Sequence, residues 1–187
     1  MSDKRYYMAC LDLAGRSCLV VGGGVVAREK ILGLLDCEAR VTVVARSISD
    51  GVASLPVELY ERAYASGDLD GRFLVVAATN DGTLNRRVHS DAEARSLLCN
   101  VVDVPALCNF ILPAIHRVDP IAIAVSTGGA SPALAKRIRD DIATVVGDRH
   151  AGLAGELRFL RPWAKERFAT YEQRRAFFDD LVERELA

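Results

Sequence analysis

The stretch of this sequence with the clearest chemical meaning is a glycine turn, Gly22 to Ala27, which fits the pattern G-x-G-x-x-G/A. It follows an apolar run, Cys18–Val21, and opens a segment, Val26–Leu35, with apolar residues at helical spacing. In such a turn the first glycine permits the tight bend, the next lets the backbone approach a pyrophosphate, and the small last residue lets helix and strand pack closely. The free N–H groups of the helix then face the phosphates. The turn predicts a dinucleotide site. The alternative is that its glycines serve only the packing of helix against strand.

The acidic residue that usually accompanies such a turn is missing. NAD sites commonly place Asp or Glu about 20 residues further on, at the end of the second strand, where it binds the ribose hydroxyls. Here the predicted strand Ala39–Ala45 is followed by Arg46 and Ser47. Arg46 is interpreted either as a partner for the 2′-phosphate of NADP or as a solvated loop residue, with the ribose held by backbone and Ser47. The residues leave both interpretations open.

A second stretch in which a strand leads through glycines into a helix is STGGASPALAKRIR, Ser126 to Arg139. A predicted strand ends there in hydroxyls and glycines, Ser131 suits the N-cap of a helix, and Pro132 suits its first position. The helix N-terminus would hold a phosphate or a carboxylate. Positive charge is added by Lys136, Arg137 and Arg139. An ordinary capped helix with a basic exposed face explains the same residues, so both interpretations stay open.

A single carboxylate, Asp103, follows the predicted strand in the stretch NVVDVP. It lies just past the carboxyl end of that strand, at the sheet edge where doubly wound folds bind ligands. An Asp before a proline-containing turn is often only a turn former. As a functional residue, Asp103 would remove a proton or approach a metal ion.

The elements that must position these residues alternate between strand and helix. Thr83 is predicted to cap a helix that runs to about Arg95. Strands joined by helices of this length indicate βαβ units and an α/β fold with a Rossmann-like, doubly wound parallel sheet, ending near Pro113. The predicted strands are Cys18–Val21, Ala39–Ala45, Val57–Glu61, Phe73–Thr79 and Leu97–Asp103.

The pattern changes after Pro113. One further strand, Ile121–Thr127, and a helix, Ala133 to about Val146, have no local partner strand, so Ala114–Val146 is predicted to pair with a second copy of the chain. The alternative is that this strand extends the Rossmann sheet. Two helices follow, Leu153–Ala169 and Tyr171–Leu186. The predicted domains are a Rossmann domain (1–113), a small α/β dimerisation segment (114–148) and a C-terminal helical domain (149–187).

Composition excludes several classes of function. The 187 residues carry a net charge of −1, which argues against nucleic-acid binding driven by overall charge. No apolar run approaches the roughly 20 residues of a membrane span and no secretory leader is evident, so a cytoplasmic protein is predicted. The five cysteines are odd in number and form no CxxC, which indicates reduced, mainly buried thiols. The three histidines are scattered, and no metal site is predicted.

Taken together and in this order, the motifs resemble the precorrin-2 dehydrogenase family, which includes the N-terminal half of siroheme synthase. The matching stretches are LDLAGRSCLVVGGGVVAREK, ARVTVVA, FLVVAATND, LNRRV, CNVVDVP, FILPAI and IAIAVSTGGASPALAKRIR. They span Leu11 to Arg139 without large gaps. The segment FATYEQRRAFFDDL also resembles the family's small helical domain.

The resemblance implies an NAD-dependent oxidation of precorrin-2 to sirohydrochlorin, in a homodimer, and it favours NAD over NADP. Asp103 occupies the position of the family's catalytic aspartate, and Thr127 stands where some members have a serine. The expected cofactor contacts are Gly22, Gly23, Gly24, Val25, Val26, Arg46, Ser47, Thr79 and Asn80. The expected contacts to the carboxylates of the tetrapyrrole are Ser126, Thr127, Gly128, Gly129, Ser131, Lys136 and Arg137.

Two alternatives to this function stay open at the level of sequence. Some family members also insert iron into the product, in which case Fe²⁺ would be a second substrate and Asp103 would take part in its insertion. The other alternative is a non-catalytic NAD-sensing module, which would have no use for Asp103 or for the second anion turn.

Overall fold

The structure is a computed structural model that describes residues 5–187, and the chain divides into two compact units between Ile111 and Leu112. The first unit is a five-stranded parallel sheet in the order β3-β2-β1-β4-β5. Its strands are β1 Ser17–Val21, β2 Arg40–Ala45, β3 Glu58–Glu61, β4 Leu74–Ala77 and β5 Leu98–Val101. Its helices are α1 Val25–Leu35, α2 Asp50–Ala53 and α3 Gly82–Glu93, with 3₁₀ turns at Ser66–Leu69 and Pro105–Leu107. The predicted α/β, Rossmann-like fold is confirmed.

The two faces of the sheet carry separate apolar layers because β1, β2 and β4 are apolar on both faces at most positions. On one face, α1 buries Ala27 and Ile31 against side chains of β1, β2 and β4. On the other, α3 buries Val88 and Ala92 against the alternate residues of the same strands and of β5. Each fully buried aliphatic side chain contributes about 1.5–3 kcal/mol relative to exposure, so these layers stabilise the centre of the sheet.

Register brings the ends of the three central strands level with one another. Val21 at the end of β1 is opposite Val44 of β2 on one side and Ala77 of β4 on the other. The strand order also reverses at β1, since β2 and β3 lie on one side and β4 and β5 on the other. The glycine turn therefore opens at the switch point of the sheet, where open α/β folds bind ligands.

The second unit contains a two-stranded antiparallel hairpin and three helices. Its elements are β6 Ala114–Val118, β7 Ile121–Val125, α4 Pro132–Ala143, α5 Asp148–Arg167 and α6 Tyr171–Leu186. Half-buried and exposed residues alternate along both strands, and α4 contacts both of them. Between α5 and α6 the rings of Trp163 and Phe168 meet edge to face, with centroids 5.9 Å apart.

Two expectations about this second unit are wrong. The strand at Ile121 is not alone, because β6 pairs with it from Ala114 opposite Val125 to Val118 opposite Ile121. It does not extend the Rossmann sheet either, since the two sheets are separate. β6 was not predicted because His116 and Arg117 interrupt the run of apolar residues that would mark it as a strand. Pairing with a second copy, and a division into dimerisation and helical domains, stay predictions.

The cysteines of the first unit include well-buried thiols. Burial raises the pKa of the Cys18 thiol to about 11 and that of Cys99 to about 12, so both stay protonated at neutral pH. All five cysteines are free of disulfides, Cys10 being exposed and Cys37 half-buried. In residues 5–187, no helix combines the length and the apolar content that crossing a membrane would require.

Candidate functional site

The three glycines of the turn meet different surroundings. Gly22 has φ +131°, and a Cβ at this position would lie 2.2 Å from the carbonyl oxygen of Ala78. A Cβ on Gly23 would lie 2.3 Å from the carbonyl oxygen of Ser47. A Cβ on Gly24 would meet no atom within 4 Å. The first two glycines therefore let the turn pass close to the ends of β4 and β2, whereas Gly24 faces open space.

The start of α1 leaves its backbone donors available. Gly24 is the N-cap residue and supplies no side chain to bond the N–H groups of the first turn. Val25 is 83% exposed and Val26 is also exposed, while Ala27 is fully buried against the sheet. An anion that approached Gly24 would meet free N–H groups and the positive end of the helix dipole. This arrangement fits the pyrophosphate of a dinucleotide.

The loop after β2 is tied to the glycine turn through backbone. The N–H and the hydroxyl of Ser49 both donate to the carbonyl oxygen of Gly23, at 3.0 and 2.8 Å. Arg46 and Ser47 are exposed beside it. The predicted ribose side of the site therefore lies next to the turn.

The loop after β4 is built around a buried amide. Asn85 is 5% exposed, and its Nδ2 donates to the carbonyl oxygen of Thr79 at 2.9 Å while its Oδ1 accepts from the Thr79 hydroxyl at 2.7 Å. These bonds hold Thr79 half-buried at the end of β4, with Asn80 exposed beside it. Thr79 and Asn80 thus lie at the same sheet edge as the glycine turn.

The predicted cap of α3 is corrected by the structure. Asp81, not Thr83, is the N-cap, and its carboxylate accepts from the N–H groups of Thr83 and Leu84 at 2.9 and 3.0 Å. Thr83 lies in the first turn instead. Asp81 is the N-cap because an ionised carboxylate is a stronger acceptor than a hydroxyl at a helix N-terminus.

This cap predicts a pH dependence of stability. Hydrogen bonds from the N–H groups of Leu84 and Thr83, followed by nearby Arg46 and Arg86, hold the pKa of the Asp81 carboxyl below its ordinary value. Because the pKa of Asp81 is lower in the folded state than in the unfolded state, its ionised carboxylate stabilises the fold at any pH above the unfolded-state pKa. This stabilisation is lost as the pH falls through the folded-state pKa. We expect Asp81→Asn to unfold at a lower denaturant concentration than wild type at pH 7, with the gap closing towards pH ~3. A gap that stays constant across this range would contradict the assignment.

Asp103 lies two residues past the end of β5, in a turn that places it at the same edge of the sheet. The N–H of Val102 still donates to the carbonyl oxygen of Ala77 at 3.0 Å, and the N–H of Val104 then closes a turn on the carbonyl oxygen of Val101 at 3.1 Å. Asp103 itself has φ +60° and is exposed. Non-glycine residues seldom adopt this conformation, although Asp and Asn tolerate it best. The turn presents a carboxylate at the ligand-binding edge at the cost of local strain.

The Ser126–Ser131 turn of the other unit, the second predicted anion site, is held by its own hydroxyls. The Thr127 hydroxyl donates to the carbonyl oxygen of Ser131 and accepts from its N–H, each at 3.1 Å. The Ser131 hydroxyl accepts from the N–H of Leu134 at 3.1 Å, which confirms it as N-cap, and Pro132 is the first helical residue. Ser126 accepts from the N–H of Gly128 at 3.2 Å. The hydroxyls shape the turn, so an anion would be bound mainly by backbone and by cations.

The backbone of this turn has room for such an anion. Gly128 and Gly129 have φ of +63° and +87°, and a Cβ on either would meet nothing within 4 Å. The hydrogen bonds within the turn use neither the N–H of Gly129 nor that of Ala133.

The cations predicted for this turn differ in their surroundings. Lys136 is exposed, and within residues 5–187 no acidic side chain forms a salt bridge with it. Arg137 is paired with Asp141, Nε to Oδ1 at 2.9 Å, one turn further along α4. An exposed pair of this kind is worth little, about 0.3–0.5 kcal/mol, so it could exchange for a ligand carboxylate. Lys136 is the cation available without such an exchange.

Sequence reasoning missed the residues that support these loops. Asn85, Cys108 and Asn109 make their hydrogen bonds to residues distant in the chain or across a turn, and no local pattern marks them. Asp81 and the Arg137–Asp141 pair had local signals, an Asp before a helix start and an i,i+4 spacing. Within residues 5–187, no three metal-ligating side chains come together.

The sheet order, the glycine turn at the switch point and the open N-terminus of α1 define a dinucleotide-binding protein. A family profile described as "Putative NAD(P)-binding" matches residues 9–114, and one described as "Sirohaem biosynthesis protein central" matches residues 118–144. The chain belongs to this NAD(P)-binding family, and its cofactor class is a nicotinamide dinucleotide.

Similar proteins extend the match to both units. The siroheme synthase of Methylobacillus flagellatus is 41% identical over 177 residues, covering 92% of this chain and 38% of that protein. The siroheme synthase of Pseudomonas aeruginosa strain LESB58 is 43% identical over 180 residues, covering 94% and 39%. The chain thus spans less than half the length of these curated relatives.

A solved structure is similar over nearly its whole length. SirC, a precorrin-2 dehydrogenase, superposes with a TM-score of 0.81 at 28% identity, covering 97% of this chain and 92% of its own. Together with the siroheme synthases, this match confirms the resemblance on which the predicted function rests.

Proposed function

We propose that this protein oxidises precorrin-2 to sirohydrochlorin with NAD as the hydride acceptor. The observation that carries the proposal is the structural match to SirC, precorrin-2 dehydrogenase, over 97% of the chain. A match confined to the first unit would support only a nucleotide-binding fold, which hosts many activities. This match includes the second unit with its anion turn.

In this proposal the cofactor lies against the glycine turn. The N–H groups at the start of α1 bind its pyrophosphate, and the open space at Gly24 admits the phosphates. Thr79 and Asn80, beside the turn, are proposed to contact the nicotinamide half, and Ser47 the ribose. When bound, the nicotinamide supplies the acceptor for a hydride from the substrate.

The oxidation also releases a proton, and Asp103 is the group proposed to accept it. Precorrin-2 loses a hydride and a proton, and the exposed carboxylate of Asp103 accepts the proton and passes it to solvent. Because the substrate carries several carboxylates, its binding needs cations and backbone donors. Lys136, Arg137 and the Ser126–Ser131 turn are the groups proposed to provide them.

The proposed preference for NAD over NADP rests on the family resemblance. Because no carboxylate directly follows β2, Ser47 and backbone groups are the proposed partners of the ribose.

We also infer that the second unit forms a homodimer. A two-stranded hairpin is marginally stable by itself, and this unit exposes apolar side chains. They include Ile115, Leu134, Ile138 and Val145. Light scattering of the purified protein is expected to give twice the mass of one chain, and a concentration-independent mass of 20.3 kDa would contradict the dimer.

The activity is tested by incubating the protein anaerobically with precorrin-2 and either NAD or NADP, with and without Fe²⁺ or Co²⁺. Sirohydrochlorin formed with NAD, faster than with NADP and without metal uptake, is the expected result. Metal-dependent formation of a metallated product would add a chelatase activity to the dehydrogenase. Binding of NAD without turnover would overturn the proposal and favour a sensing module.

A further inference from the structure

The strand that precedes the Asp103 turn, β5, lies at the edge of the sheet and has backbone groups without strand partners. Cys99 and Val101 are paired in register with β4, but their own N–H and C=O groups point away from it. The groups that face β4 belong to the alternate residues, as the Val102 N–H to Ala77 bond shows. An edge of this kind needs other partners if it is buried.

The segment after the 3₁₀ turn supplies these partners. The N–H of Cys99 donates to Asn109 Oδ1 at 2.7 Å, and its carbonyl oxygen accepts from the N–H of Asn109 at 3.0 Å. Two residues further along β5, the thiol of Cys108 bonds both backbone groups of Val101. Its Sγ accepts from the Val101 N–H and donates to the Val101 carbonyl oxygen, both at 3.2 Å.

The same thiol contacts both ends of the turn that holds Asp103. Besides Val101, the Cys108 sulfur lies 3.4 Å from the carbonyl oxygen of Val104. The amide of Asn100 approaches it from the strand at 3.7 Å, and donates also to the carbonyl oxygen of Phe110 at 3.1 Å. Cys108 is 4% exposed, so it lies behind the turn and out of reach of a ligand.

We infer that Cys108 is the positioning residue for the Asp103 carboxylate. Asp103 is held at φ +60°, which its neighbours must enforce from outside. Val101 and Val104 flank it, and the buried thiol joins both. This inference rests on the proposed function, because it assigns Cys108 a role only through Asp103.

The test compares Cys108→Ala and Cys108→Ser with Cys18→Ala, which replaces a buried cysteine of β1 whose thiol donates to the carbonyl oxygen of Arg16. At saturating NAD and precorrin-2, Cys108→Ala is expected to lower kcat by roughly ten- to a hundredfold, with the KM values and NAD affinity unchanged. Cys108→Ser keeps a donor and an acceptor and is expected to recover part of the loss. Cys18→Ala is expected to keep the wild-type kcat.

A double-mutant cycle separates positioning from general destabilisation. If Cys108 acts through Asp103, Cys108→Ala added to Asp103→Asn causes no further fall in kcat. Additive losses, or a kcat of folded Cys108→Ala equal to wild type, would overturn the inference. Because every comparison is made relative to the wild-type rate, absence of turnover in wild type itself would refute the proposed function instead.

Discussion

Gly22→Ala is expected to destabilise the fold, while Gly24→Ala is expected to leave it intact and impair cofactor binding. At Gly22 the added Cβ would lie 2.2 Å from the Ala78 carbonyl oxygen, on a backbone with φ +131°. Neither can relax easily, because the Ala78 N–H is bonded to the Val21 carbonyl oxygen at 2.8 Å. We expect the free energy of unfolding to fall by about 3 kcal/mol or more, measured by chemical denaturation.

Gly24→Ala is the matched control for this clash. Its φ is −93° and its Cβ would meet no protein atom within 4 Å, so the loss of stability should stay below about 1 kcal/mol. The methyl group would instead fill the space through which a pyrophosphate approaches the backbone. NAD affinity, measured by calorimetry, is expected to fall about tenfold or more, equivalent to ~1.4 kcal/mol. A folded Gly24→Ala that binds NAD as wild type does would place the cofactor elsewhere.

Asp103→Asn is expected to lower kcat by about a hundredfold or more with NAD affinity unchanged. Asn tolerates the left-handed backbone of residue 103 as well as Asp does, so the turn is retained while its proton acceptor is lost. General acid–base groups contribute about 10²–10⁴-fold to rate, which sets the size of the effect.

Asp36→Asn serves as the control for this substitution. Asp36 is an exposed aspartate at the C-terminal end of α1, at the opposite edge of the sheet from the glycine turn. Its replacement should leave kcat unchanged. If Asp103→Asn retains turnover within about twofold of wild type, the carboxylate is not the base.

The first unit could be predicted well from sequence because its signals are local. Continuous apolar runs mark buried parallel strands, and the glycines of the turn are required by short contacts to Ala78 and Ser47. In the second unit, the N-cap role of Ser131 likewise followed from its place before Pro132. These features depend on the few residues around them.

The features that sequence missed depend on contacts between distant residues. β6 has polar side chains on an alternating, half-exposed strand, and only its pairing with β7 identifies it. Cys108 looks like a small buried hydrophobe until the free edge of β5 is known to lie against it. The hydroxyl of Thr127 looks available for a ligand until its bonds to Ser131 are seen.

We expect hydride to pass from precorrin-2 to NAD on this chain. The most direct measurement follows NADH and sirohydrochlorin together in one anaerobic reaction, so that oxidation by air does not contribute. One NADH is expected for each sirohydrochlorin formed, and nearly none of either with Asp103→Asn. Sirohydrochlorin formed without NADH, or no change in the tetrapyrrole with NAD bound, would contradict it.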